Sequence, residues 1–153
     1  MNLVSGIHHV AVITANIDRF IEFYTDVFEM PVIFQETTPD FRHALLRAGQ
    51  QSVLHAAEMP DNIHSFGLPE MFKRGHIDHL ALNVPTESAF QIIRHKLIDR
   101  GVSDGAVFDL GPVLNLSFSD PDGMHIEVCL IVDTSFEGFH QPQPYIETVN
   151  KTS

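Results

Sequence analysis

Two stretches decide the reading: GIHHVAVITANIDRFIEFYTDVFEMPV (residues 6–32) and HIDHLALNVPTESAFQIIRHKLIDRGV (residues 76–102). Laid over one another at a constant offset of 70, they put His9 on His79, Val10 on Leu80, Ala11 on Ala81 and Val12 on Leu82. Further along, Phe20 meets Phe90, Phe23 meets Ile93, Val27 meets Leu97 and Val32 meets Val102. Apolar type and apolar period agree along the whole alignment, which marks a tandem duplication.

Each copy opens with a run of β-branched and aliphatic residues, HHVAVI and DHLALNV, that predicts a strand. Asn16 and Thr86 then stand where an N-cap belongs, since their side-chain oxygens accept free N–H groups of a first helical turn. Phe20, Phe23, Tyr24, Val27 and Phe28 recur at helical spacing after the first cap; Phe90, Ile93, Leu97 and Ile98 do so after the second. Pro31 and Gly101 are expected to end the two helices. Three strands are expected to follow in each copy: VIFQET, RHALLRA and SVLHAAE in the first, AVFDL, VLNLSFS and MHIEVCLIV in the second. The turn DPDG (120–123) joins the last two strands. The plan is βαβββ twice over, of the α+β class. The expected limits are a first module over 1–58, a linker over 59–75, a second module over 76–132 and a tail or arm over 133–153, together forming one compact domain.

Bulk composition narrows the function. A chain of 153 residues with 44% apolar residues and 12 Phe can bury a core. A net charge of −11 opposes binding to nucleic acid or an anionic membrane surface. No apolar run reaches the roughly 20 residues of a membrane span, and the N-terminus has no signal-peptide pattern. The single cysteine, Cys129, makes no internal disulfide, which suits a reducing cytoplasm. Ten histidines are many for this length, and histidine is the commonest metal ligand. His64, His95 and His140, in the linker, on the second helix and in the tail, read as ordinary solvent-facing residues.

Strand alternation sorts the remaining candidates. The larger aliphatics, Val10 and Val12 with Leu80 and Leu82, seat the helices, so His9 and His79 point the other way. On the last strands Leu54 and Ala56 match Ile126 and Val128 as helix-facing residues, leaving His55 and Glu127 on the opposite face. Cys129 alternates with Glu127 onto that face and reads as a small buried hydrophobe. On RHALLRA, one face carries Arg42 with Ala44 and Leu46, the other His43 with Leu45 and Arg47; alternation alone leaves open which of them turns inward. His9, His55, His79 and Glu127 thus form two repeat-equivalent pairs. Neutral imidazole and carboxylate suit a divalent ion such as Zn²⁺, Ni²⁺, Fe²⁺, Co²⁺ or Mn²⁺, and the lack of thiolates argues against a closed structural zinc.

The stretches GIHHVAV, FYTDVFEMPV, HIDHLAL and DPDGMHIEV make the chain resemble the vicinal oxygen chelate superfamily of glyoxalases, bleomycin and fosfomycin resistance proteins and extradiol dioxygenases. The resemblance spans about residues 6–132. It implies paired βαβββ modules whose eight strands form a U-shaped, incompletely closed barrel, and it maps His9, His55, His79 and Glu127 onto the family's four metal positions. It implies a small-molecule substrate and a homodimer. Glyoxalase I-like members carry a carboxylate where this chain has His55, so Glu127 and His55 are the acid–base candidates. Extradiol enzymes place a Tyr where this chain has Ser117. The expectation is a metal-dependent enzyme of lyase or isomerase type that works through an enolate-like intermediate. The alternatives are an Fe²⁺-dependent ring-cleaving dioxygenase and a non-catalytic small-molecule-binding protein.

Overall fold

The computed structural model describes residues 6–60 and 77–145, together with Leu3, Asn62, Phe72 and Arg74. His64 and most of the expected linker lie outside the described residues. Contacts divide the chain into two compact units, Met1–Leu68 and Pro69–Ser153.

In the first unit β1 (His9–Ile13) leads into helix α1 (Ile17–Phe28), followed by β2 (Val32–Thr37), β3 (Arg42–Ala48) and β4 (Ser52–Glu58). The sheet order is β1-β4-β3-β2. β2, β3 and β4 form an antiparallel meander, and β4 returns alongside β1 in parallel. The helix makes this possible, because it carries the chain from one edge of the sheet to the other before the meander begins.

Local chemistry explains the helix. Asn16 is extended (φ −155°, ψ 108°), and its side chain accepts the Arg19 N–H. The stripe of Ile17, Phe20, Phe23, Tyr24 and Val27 is buried against the sheet, each large side chain contributing about 1.5–3 kcal/mol of burial. The exit differs from the expected proline stop: Glu29 takes the left-handed conformation (φ 54°) and its N–H caps the Tyr24 carbonyl, two residues before Pro31. Arg42 clamps the other end, donating to both carboxylate oxygens of Asp18 at 2.7 and 2.9 Å. The Arg42 guanidinium holds the Asp18 carboxyl below its ordinary pKa. Glu58 completes the tie by accepting the Ile17 N–H at 2.7 Å.

The second unit repeats the plan with β5 (Leu80–Val84), α2 (Glu87–Asp99), β6 (Val107–Asp109), β7 (Val113–Ser119) and β8 (His125–Ile131). β5 and β8 pair in parallel, as β1 and β4 do. Thr86 caps α2 by accepting the Ala89 N–H, and Gly101 follows its end at φ 67°. Phe90, Ile93 and Leu97 are buried. The DPDG turn is held by Asp120, whose Oδ1 accepts the N–H groups of Asp122 and Met124. A fifth strand, β9 (Gln143–Pro144), pairs with the edge of β6. The described part of the C-terminal arm therefore lies on its own module. The described helices are 12 and 13 residues long, and none is long and apolar enough to cross a membrane.

Candidate metal centre

Register settles which face each candidate occupies. In the first unit Ala11 pairs with His55 across β1 and β4, and Leu45 pairs with His55 across β3 and β4. The opposite face carries Leu54, Ala56, Ala44 and Leu46, all buried. His9 and His55 therefore share the face turned away from α1. β3 resolves the same way. Ala44 and Leu46 go to the helix with Arg42, so His43, Leu45 and Arg47 join His55.

The rings of His9 and His55 lie edge to face, with centroids 6.2 Å apart. His9 Nδ1 is 2.9 Å from His8 Nδ1. His55 is half-buried; desolvation, reinforced by His43 and His9, lowers its pKa and keeps the imidazole neutral. A neutral imidazole retains the lone pair that ligation requires. His43 places Nδ1 3.2 Å from His55 Nε2, and its own Nε2 meets Glu36 Oε2 at 3.0 Å.

In the second unit Ala81 pairs with Glu127 across β5 and β8, and Ser117 pairs with Glu127 across β7 and β8. Ile126 and Val128 are wholly buried on the other face. His79 Nε2 stands 3.5 Å from Glu127 Oε2, while His79 Nδ1 is 2.9 Å from Asp78 Oδ2. A carboxylate only accepts, so Asp78 fixes the His79 proton on Nδ1. His79 Nε2 then faces a second carboxylate, that of Glu127. The side chains of His79 and Glu127 are 36% and 21% exposed, so a small molecule has access to them.

Cys129 shares the Glu127 face. Burial and the nearby carboxylate push its thiol up to about 11, and Asn115 Nδ2 approaches its sulfur at 3.8 Å. It is protonated and unreactive at neutral pH, as a small buried hydrophobe would be. Asn115 is itself buried, and Ser117 Oγ donates to its Oδ1 at 3.4 Å.

Each unit thus brings its expected pair together. Among the described residues, no three His, Cys, Asp or Glu side chains are gathered as a metal site. Imidazole nitrogens and a carboxylate are nevertheless donor types that suit a divalent ion. Sequence reasoning missed Asp78, Glu36 and the direction of His43. Asp78 was legible as the acidic neighbour of His79 in HIDH. Glu36 was not, for reasons of strand register given below.

The family model for the Glyoxalase/Bleomycin resistance protein/Dioxygenase superfamily matches residues 6–128. The chain belongs to that superfamily. Among solved structures it is similar to a glyoxylase/bleomycin resistance protein/dioxygenase domain from Frankia sp. EAN1pec, with TM-score 0.66, 20% identity and coverage of 84% of this chain and 98% of that one. It is similar to lactoylglutathione lyase from Agrobacterium tumefaciens, with TM-score 0.59, 15% identity and coverage of 90% and 99%. A third likeness is to the fosfomycin resistance protein of Listeria monocytogenes, solved with Mn(II) and sulfate, with TM-score 0.59, 13% identity and coverage of 84% and 93%. At these identities the likenesses carry the fold, which is the tandem βαβββ arrangement expected from the duplication. No protein of curated function matches the chain.

Proposed function

We propose that this superfamily member is a divalent-metal-dependent enzyme acting on an oxygen-bearing small molecule, with His9, His55, His79 and Glu127 as the metal donors. One observation carries the reading. His79 Nε2 and Glu127 Oε2 face each other at 3.5 Å, although Asp78 already takes the His79 proton at the other nitrogen. Both atoms are metal-donor types within reach of one cation, and a carboxylate behind a ligating histidine is the usual support for one.

A bound divalent ion supplies Lewis-acid stabilisation of negative charge on a substrate oxygen. The protein groups supply the proton transfers. Glu127 takes a proton from a carbon next to a carbonyl and returns it to the neighbouring carbon, which makes the reaction an isomerisation. His55, half-buried, is the second group able to hold that proton when it is off the metal. Asp78 keeps His79 in one tautomer throughout. Cys129 takes no part, because its thiol stays protonated. By the family's pattern the protein works as a homodimer, and its single cysteine suits a reducing cytoplasm.

Elemental analysis of purified protein tests the reading. One divalent ion per chain is expected, with Glu127→Ala and His79→Ala each lowering metal affinity about 100-fold or more. Unchanged metal content in both variants sinks the assignment. No oxygen uptake is expected with catechols under Fe²⁺ loading; uptake identifies the ring-cleaving alternative.

A further inference from the structure

Two residues outside the paired donors, Glu36 on β2 and His43 on β3, form a chain with His55 on β4 of the first module. Glu36 Oε2 lies 3.0 Å from His43 Nε2, and His43 Nδ1 lies 3.2 Å from His55 Nε2. The carboxylate can only accept, so His43 carries its proton on Nε2 and presents a lone pair at Nδ1. That lone pair faces His55 Nε2 within hydrogen-bond distance, which requires a proton on His55 Nε2. The free lone pair of His55 is then on Nδ1.

We propose that Glu36 and His43 are positioning residues that hold His55 as its Nε2–H tautomer and leave Nδ1 as its metal-donor nitrogen. The proposal deepens the metal reading above and rests on it for the word donor. It sets His55 apart from His79, which has Nδ1 on Asp78 and so keeps Nε2 for a ligand.

The backbone builds this chain deliberately. In the β2–β3 ladder Val32 pairs with Leu46, but Phe34 pairs with Leu45, so Ile33 is an inserted bulge residue. A bulge reverses the alternation beyond it. Phe34 and Glu36 therefore reach the face of Leu45 and His43 instead of the helix face, and Glu36 stands directly across from His43. Phe34 and Phe41 wall the His43 ring, with centroids 5.3 and 4.8 Å away. Among the described residues the second module has no such chain: Asn115 occupies the position of His43, at the offset of 72 that relates His55 to Glu127, and turns its amide to Cys129.

Nitrogen-15 NMR of chelator-treated, histidine-labelled protein tests the chain without metal. The expected result is a coupling across the hydrogen bond between His55 Nε2 and His43 Nδ1, with the proton on His55. No coupling, or a proton on His43 Nδ1, overturns the proposal. Glu36 is 52% exposed, so Glu36→Gln leaves the fold intact; the coupling is expected to fall at least twofold, and an unchanged coupling removes Glu36 from the chain. Addition of Zn²⁺ is then expected to shift His55 Nδ1 while the coupling persists. A shift at Nε2 with loss of the coupling overturns the proposal and leaves the metal reading standing. Silence of every histidine to Zn²⁺ overturns the metal reading, and with it the donor role of Nδ1.

Discussion

His55 and Glu127 occupy the same place in the two modules, yet their surroundings differ in kind. Around His55 stand His43, Leu45 and Ala57; around Glu127 the same three addresses hold Asn115, Ser117 and Cys129. The residues that precede His9 and His79 also differ, His8 in one module and Asp78 in the other. On the helix-facing side the match is close: Leu54 and Ala56 against Ile126 and Val128, all buried. The contrast has a physical cause. Helix-facing positions must fill a close-packed interior, where a change of one methylene is felt. Positions on the other face are partly open and free to diverge in chemistry. Duplication therefore preserved the addresses and left the chemistry at each address to vary.

The largest expected effect tests whether the two cores are equivalent. Phe20→Ala and Phe90→Ala each remove a side chain only 1% exposed, and each should destabilise its module by about 3–5 kcal/mol in chemical denaturation. Similar losses support equivalent packing. A loss in one module several times smaller than in the other breaks the comparison at the core, where it is expected to hold best.

A smaller effect probes the open faces, where the comparison is expected to fail. Asp78→Ala removes a carboxylate from His79 Nδ1 and should lower metal affinity about 10–100-fold by titration. His8→Ala removes only an imidazole from His9 Nδ1, a weaker partner, and should cost several-fold less. Equal losses would show that the carboxylate has no special role.

The smallest effect concerns acid stability. Asp18 has its pKa lowered by the Arg42 hydrogen bond, so the folded state binds its proton less readily than the unfolded chain. The stabilisation is present above the ordinary carboxylate range and is lost as pH falls through the depressed folded value. Leu114 stands in the second module at the repeat position of Arg42, so that module has no such clamp there. Asp18→Asn should flatten the acid limb of the unfolding curve without changing stability's dependence on pH near neutrality. An unchanged acid limb would assign the acid response to other carboxylates.

Much was legible before any coordinates. The repeat of apolar periods located both helices, both caps and all eight strands of the two modules, because period and capping are local properties of a chain. Alternation likewise separated His9, His55, His79 and Glu127 from the core, since strand side chains must take opposite faces in turn. His43 was harder. One face of RHALLRA offered Arg42 with Ala44 and Leu46, the other His43 and Arg47 with Leu45, and only the burial of Ala44 and Leu46 broke the tie.

Glu36 marks the limit. By simple alternation from Val32 it shares the helix-facing side of VIFQET, remote from His43. The bulge at Ile33 reverses that assignment, and a bulge is decided by how two strands pair. By itself, then, the sequence determined the duplicated βαβββ plan and the strand faces of His9, His55, His79 and Glu127, through spacing within each strand and helix. Tertiary structure alone decided which side chains stand beside those four. Such contacts depend on the register between strands distant in the chain, and no local pattern encodes it.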